Sequence, residues 1–268
     1  MFSTADREAI VALIKREVVP AIGCTEPVAV SLCVARATEL LGRKPEKIEV
    51  LLSANILKNA MGVGIPGTGM IGLPIAIALG AIVGRSEYGL EVLKDADEKA
   101  VADGRAYIDE KRISIDVKEG IEEKLYIEVK ASAADHSAKA IIAGGHTTFV
   151  YLEQDGQVTL DNRAVGEQAE QSEDVALSLR KVYDFAMTAP LEEIEFILES
   201  KRLNKAAAES AFGADFGHSL GKTLRGSREL QVLGDSIFTR ILSYTASACD
   251  ARMGGAMVPV MSNSGSGN

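Results

Sequence analysis

The sequence predicts an α+β fold, mainly helical, with a small antiparallel β-sheet inserted into it. Three observations predict it. Apolar residues recur at helical spacing through residues 3–41 and 70–109; between 112 and 160 the period shortens to two; helical spacing returns from 174 to 248. Two helical parts, 1–111 and 163–268, thus flank an insertion at 112–162, and the boundaries are polar rather than proline-rich.

Ser3 and Asp6 have the spacing of a capping box, and Ile10, Leu13, Ile14 and Val18 follow on one face until Pro20 ends the run. Residues 21–27, Ala-Ile-Gly-Cys-Thr-Glu-Pro, make a tight connection. In it Thr25 or Glu26 caps a second helix that carries Pro27 in its first turn and runs to about Leu41. Gly42-Arg43-Lys44-Pro45 turns the chain, and β-formers across 48–56 read as a strand that ends at a polar entrance, Ser53, Asn55, Lys58 and Asn59. An uncharged helix at 70–83 and a charged, solvated helical run at 90–109 complete the first part.

In the insertion, Ile113, Ile115 and Val117 alternate with Ser114, Asp116 and Lys118, and Leu125, Ile127 and Val129 alternate with Tyr126, Glu128 and Lys130. Segments 136–143 and 147–154 continue the pattern, Asp155-Gly156 is a two-residue hairpin signal, and 157–160 returns, giving four or five antiparallel strands. Gly144-Gly145-His146-Thr147 interrupts the sheet, either aiming His146 at a site across a bulge or merely turning the chain. The second helical part breaks at Pro190 and at the glycines across 213–226.

The stretch 53–84 invites a functional reading, because glycines before an apolar helix leave backbone N–H groups that favour an anion, although such a loop is as often a plain turn. Gly62, Gly64 and Gly67 satisfy G-x-G-x-x-G, yet residues 57–61 separate them from the strand and Glu87 falls in a turn, against a dinucleotide site. Gly69 is followed by Met70-Ile71, not Lys-Ser/Thr, which excludes a Walker A loop. Glycines and Pro66 leave only 70–83 as continuous helix, roughly 21 Å at 1.5 Å per residue, too short for a hydrocarbon core of roughly 30 Å.

With 268 residues, 47% of them hydrophobic, the chain can build one large core or two modest ones. A net charge of −9 argues against a nucleic-acid or anionic-membrane surface. Cys24, Cys33 and Cys249 have no C-x-x-C spacing and cannot all pair, and the first residues lack a signal-peptide pattern, so the cytoplasm is the expected compartment. An acidic chain of this kind is expected to have small-molecule or protein partners, further copies of itself among the latter.

Cys24 stands at a helix mouth, where the dipole lowers a thiol pKa while the neighbouring Glu26 pulls the other way; the alternative is a small buried hydrophobe. Cys33 shares a helical stripe with Ala29, Ala37 and Leu40 and reads as core. The Ser/Asn/Gly run at 262–268 reads as a frayed tail or an anion-binding nest.

Six blocks in order, Gly23-Cys24-Thr25-Glu26-Pro27, Ser53-Ala54-Asn55-Ile56 with Lys58-Asn59, the glycine stretch from Gly62 to Gly69, Gly145-His146-Thr147, Asp250-Ala251-Arg252-Met253-Gly254-Gly255 and Ser262-Asn263-Ser264-Gly265-Ser266-Gly267-Asn268, resemble the bacterial and archaeal L-cysteine desulfidases, a family related to the α chain of iron–sulfur L-serine dehydratases. The resemblance covers essentially the whole chain. It implies a serine-dehydratase-alpha-like helical core and β-elimination of L-cysteine to pyruvate, ammonia and sulfide on a [4Fe–4S] cluster, without pyridoxal phosphate. Cys24 matches the motif cysteine that takes the substrate Cα proton. Asn55, Lys58, Gly64, Gly67, Thr68 and Gly69, with Ser262, Asn263 and Gly265, match positions that hold the substrate, and Glu26, His146, Asp250 and Arg252 lie in the same blocks.

The resembling proteins continue past the Ser-Asn-Ser-Gly-Ser-Gly-Asn loop and bring their cluster cysteines from there. The expectation is therefore a fragment or truncated product that folds but cannot hold the cluster or turn over, with its cluster ligands beyond Asn268 and no metal ligands of its own, since three scattered cysteines fall short of the usual four thiolates. Competing functions are an L-serine dehydratase-like deaminase, a non-catalytic protein that binds a small carboxylate, and, ranked last, a nucleotide-binding enzyme.

Overall fold

In the computed structural model, which describes residues 2–163 and 175–261, the chain is α+β as expected. Helix α1 (Thr4–Glu17) starts with the anticipated capping box: the Asp6 amide donates to Ser3 Oγ at 3.1 Å and the Ser3 amide to Asp6 Oδ2 at 3.2 Å. A short strand, β1 (Pro20–Ile22), replaces part of the expected turn and leads into α2 (Thr25–Leu41). Almost every side chain in the first four turns of α2 is buried, and Gly42 ends the helix in the left-handed conformation at φ 72°.

The strand expected over 48–56 ends earlier. Strand β2 is Lys47–Leu52, and Ser53 caps a new helix, α3 (Ala54–Ala60), by accepting from the Ile56 amide at 3.3 Å. The glycine stretch is not an open loop before a helix either. It folds as a hairpin of β3 (Gly64–Ile65) and β4 (Met70–Ile71), and α4 (Leu73–Ile82) begins only after Gly72, at φ 91°. Helix α5 (Glu98–Asp109) follows a 3₁₀ segment at Ser86–Glu91, so the charged helical run starts later than its periodicity predicts.

The insertion supplies β5 (Ile113–Val117), β6 (Tyr126–Ala133), β7 (His136–Ala143), β8 (Phe149–Gln154) and β9 (Gln157–Asp161). The sheet has six strands in the order β5-β2-β6-β7-β8-β9, since β2 enters it from outside the insertion. It pairs parallel with β5 and antiparallel with β6, Val50 standing opposite both Ile115 and Val129. Ile48, Val50 and Leu52 alternate toward the same core as Ile127, Val129 and Ala131, and that shared apolar face is what recruits the strand. Helices α2 and α4 contribute to this one aliphatic core, with Cys33 inside it as the stripe predicts. Asp155 and Gly156, both at positive φ, make the predicted β8–β9 turn.

Beyond 174 lie α6 (Leu179–Thr188), α7 (Leu191–Ile194), α8 (Leu198–Phe212), α9 (Leu220–Thr223), α10 (Ser227–Leu233) and α11 (Ile237–Met253). Ala207, Ala208 and Ala211 on α8 meet Ala248 and Ala251 on α11, so small side chains let these helices approach closely. Strand β10 (Pro259–Met261) then pairs antiparallel with β1, Ile22 opposite Pro259. This pairing brings the end of α11 to the residues that precede Cys24.

Candidate active site

Three connections and two helix ends converge at the start of α2. Gly23 turns from β1 into the helix at φ 77°, and the space a Cβ would occupy there is filled by the Pro66 ring, 2.4 Å away at Cγ. Arg252, in the last turn of α11, donates from Nε to the Gly23 carbonyl at 3.0 Å and is itself buried. On the other side, Gly64 lies against the backbone of Gly254 and Gly255, and the Gly67 amide donates to the Gly255 carbonyl at 3.2 Å. The hairpin and the end of α11 thus form a frame around residue 24.

Cys24 is the N-cap residue of α2, yet its side chain caps nothing. The thiol donates instead to Glu26 Oε2 at 2.9 Å, in a site only 2% exposed for Cys24 and 4% for Glu26. The Thr25 hydroxyl donates to the same oxygen at 3.2 Å, and Asn59 Nδ2 reaches Oε1 at 3.4 Å from α3. His146 is half-buried in the β7–β8 connection, close enough to Glu26 and Arg252 for both charges to act on it.

The electrostatics follow from this geometry. Burial pushes the Cys24 thiol up to about 12, with the hydrogen bond to Glu26 and the charge of Glu26 adding to it and Arg252 opposing. A lowered thiol pKa at the helix mouth, one side of the sequence expectation, is therefore overturned: the carboxylate and the burial prevail. Burial also works to raise Glu26, but hydrogen bonds from Cys24, from its own amide and from Thr25, together with His146, hold it below the usual carboxylate range. His146 is held low, first by burial and then by Arg252, with Glu26 opposing. The resting site is a neutral thiol against a charged carboxylate.

Of the other residues singled out in the sequence, Asn55 and Lys58 stand on the exposed face of α3, and Asn59 from that helix reaches the cluster instead. Several hairpin amides are occupied within the fold: Gly67 donates to the Gly255 carbonyl and Thr68 to the Ile65 carbonyl, both at 3.2 Å, and Met70 to Thr68 Oγ1 and Gly72 to the Val63 carbonyl, both at 2.9 Å. The Thr68 hydroxyl donates to the Ile65 carbonyl at 2.7 Å. Gly69 is exposed at the hairpin tip, at φ 61°. Asp250 accepts from the His218 and Gly221 amides, both at 3.2 Å, and so fastens the loop before α9. Ser262, Asn263 and Gly265 lie outside the described residues.

Beside Arg252, a cleft of about 550 Å³ runs along α11, with Asn204, Tyr244, Cys249, Met253 and Met261 among its walls. Such a volume suits a small molecule. An iron–sulfur cluster finds no ligand set among the described residues, where no three His, Cys, Asp or Glu side chains gather to hold a metal ion. Cys24 is engaged with Glu26, the Cys33 thiol points at the Ile127 and Ala140 carbonyls inside the core, and Cys249 is exposed on α11. Among the described residues, no helix is long and apolar enough to cross a membrane.

A family model described as serine dehydratase alpha chain matches residues 87–268. A UPF0597 protein of Bacteroides fragilis is 66% identical over 264 residues, covering 98% of this chain and 62% of its own length. One of Bacteroides thetaiotaomicron is likewise 66% identical with the same coverage. One of Porphyromonas gingivalis is 52% identical over 271 residues, covering 99% of this chain and 63% of its own length. The chain thus spans about three fifths of the length of these relatives. No solved structure matches it.

Proposed function

Because the chain belongs to the serine dehydratase alpha chain family, we propose that it carries the proton-abstracting half of a β-eliminating lyase site, with Cys24 as the base and L-cysteine as the substrate. The observation that carries this reading is the thiol of Cys24 fixed on Glu26 at 2.9 Å, in a buried polar cluster that also contains Asn59, His146 and Arg252. A cysteine kept only for packing needs no such surroundings, as Cys33 illustrates in the aliphatic core.

β-Elimination begins at a weakly acidic Cα–H bond. A thiolate placed at that hydrogen suits the task. The electron pair left on Cα then forms the Cα–Cβ double bond as the β-substituent departs with its own pair. Water hydrolyses the resulting enamine to pyruvate and ammonia. The [4Fe–4S] cluster implied by the resemblance is assigned to no described residue of this chain.

The test is an anaerobic assay of pyruvate and sulfide from L-cysteine, with L-serine in parallel, on the unsubstituted chain and on Cys24→Ala. Sulfide and pyruvate release that vanishes in Cys24→Ala is the expected result, and it would overturn the sequence expectation that this chain alone does not turn over. Equal release from both proteins would overturn the assignment of Cys24, and release of pyruvate from L-serine alone would make the chain a deaminase.

A further inference from the structure

We propose that Glu26 is the terminal proton acceptor of the site, and that Cys24 relays rather than stores the proton: the two side chains work as one acid–base unit. This rests on the reading of Cys24 as base and adds a second residue to it. The geometry supplies the path, since Cys24 Sγ donates to Glu26 Oε2 at 2.9 Å. It also supplies the clamp. Thr25 holds Oε2 at 3.2 Å and Asn59 holds Oε1 at 3.4 Å, so the carboxylate is tethered through both oxygens, by its own helix and by α3. The groups that face the pair from the elements packed around it are Thr25 on α2, Asn59 on α3, His146 in the β7–β8 connection and Arg252 on α11.

A buried carboxylate two residues beyond a buried thiol would be a poor choice if the sulfur simply had to lose its proton to solvent, because a like charge disfavours the thiolate. It is a sound choice for a relay. The Sγ–H bond breaks as the Oε2–H bond forms, and Sγ takes the Cα hydrogen in the same shift, so no free thiolate accumulates beside the carboxylate. The Cα–H electron pair becomes the second Cα–Cβ bond and the Cβ–substituent bond breaks. The proton on Oε2 then passes to the departing substituent, which leaves as a neutral molecule. Cys24 is again a thiol and Glu26 a carboxylate, with no outside oxidant, reductant or proton donor used.

Glu26→Gln tests this, because a relay predicts opposite movements in two readouts. The first is alkylation of Cys24 by iodoacetamide as a function of pH, located by mass spectrometry of the Cys24 peptide. With the neighbouring charge removed, the rate at pH 8 should rise roughly tenfold or more. The second is loss of the deuterium of α-deuterated L-cysteine to water, scored as exchange whether the substrate re-forms or goes on to product and followed by deuterium NMR, which should slow by about a hundredfold or more when the acceptor is lost. Asn59→Ala should shift both in the same directions by less.

Faster alkylation with faster exchange would overturn the relay and leave Glu26 as a restraint on the thiolate. Unchanged alkylation would overturn the claim that Glu26 governs the Cys24 proton. Loss of exchange in Cys24→Ala with full exchange in Glu26→Gln would refute the proposal while leaving Cys24 as base. An unsubstituted chain that exchanges no α-hydrogen would refute Cys24 as base, and with it the relay, whatever the alkylation profile shows.

Discussion

Gly64→Ala should loosen the frame around Cys24, and the structure fixes how much. A Cβ at position 64 would lie 2.6 Å from the Gly254 carbonyl carbon, 2.8 Å from its oxygen and 2.8 Å from the Gly255 nitrogen. All three are backbone atoms, so no side-chain rotation relieves the contact and the hairpin must move away from the end of α11. Overpacking of this kind costs about 1–3 kcal/mol. The Gly67 amide bond to the Gly255 carbonyl, 3.2 Å long, crosses the same contact, and its loss adds about 1 kcal/mol. Together these predict a destabilisation of about 2–4 kcal/mol, against a total stability of about 5–15 kcal/mol for an ordinary protein. Urea unfolding followed by circular dichroism measures it, and the melting temperature should fall on the order of 5–15 °C. Gly62→Ala is the internal control. Nothing lies within 4 Å of its Cβ position, so that variant should be neutral or stabilised by up to about 1 kcal/mol. Equal midpoints for Gly64→Ala and the unsubstituted chain would refute the packing argument.

Two further outcomes follow from the same frame. Arg252→Lys should not rescue what Arg252→Ala loses, because the lysine ammonium is a point charge without the planar fork that serves Gly23. Either change leaves a buried carbonyl to find a new partner and should cost about 1–3 kcal/mol in urea unfolding. His146 gives the site a pH dependence. Burial holds it below its unfolded value of about 6.5, so below that pH the unfolded chain binds more protons than the folded one, and stability falls as the medium is acidified. The loss continues until the lower, folded pKa is passed, and Glu26, also held low, adds a second loss at more acid pH. Urea midpoints at pH 7.5 and 5.5 should differ in the unsubstituted chain, and His146→Gln should reduce the difference; an unchanged slope would show that this imidazole is not desolvated.

Much of the scaffold was legible in the sequence because periodicity reports burial on one face. The helix at 25–41, the alternation of β6 and the Asp155-Gly156 turn are all visible that way. What periodicity does not carry is pairing between distant segments. Strand β2 joins the insertion because Ile48, Val50 and Leu52 share a core with Ile127 and Val129, and nothing within residues 47–52 names that partner. Asn59 was recoverable: Ser53 as an N-cap, with Ile56 and Ala60 four apart, marks a helix over 54–60, whose polar face then includes Asn59. The hairpin at 64–71 was harder to see, since the glycines that make it look like an anion loop are used to let the backbone of 254–255 approach.

The reversal at Cys24 shows which magnitude governs a cysteine at a helix mouth. The dipole of α2 contributes about 0.3–1 kcal/mol to a charge at its N-terminus, and about 2 kcal/mol in favourable buried geometry. Raising the thiol to about 12 disfavours the thiolate by on the order of 4 kcal/mol, so burial and the carboxylate together exceed anything the dipole can supply. The spacing explains why. An N-cap side chain ordinarily turns toward the amides of the second and third helical residues. Here the second helical residue is Glu26, whose amide serves both its own carboxylate and the Cys24 sulfur, while the thiol donates to that carboxylate. The amide end of α2 therefore works on both groups, helping to keep Glu26 charged and pulling the thiol down, but at the sulfur it is outweighed by burial and by the Glu26 carboxylate. With glutamine at position 26 the positive end of α2 and Arg252 act on the thiol without opposition from a carboxylate on its own helix.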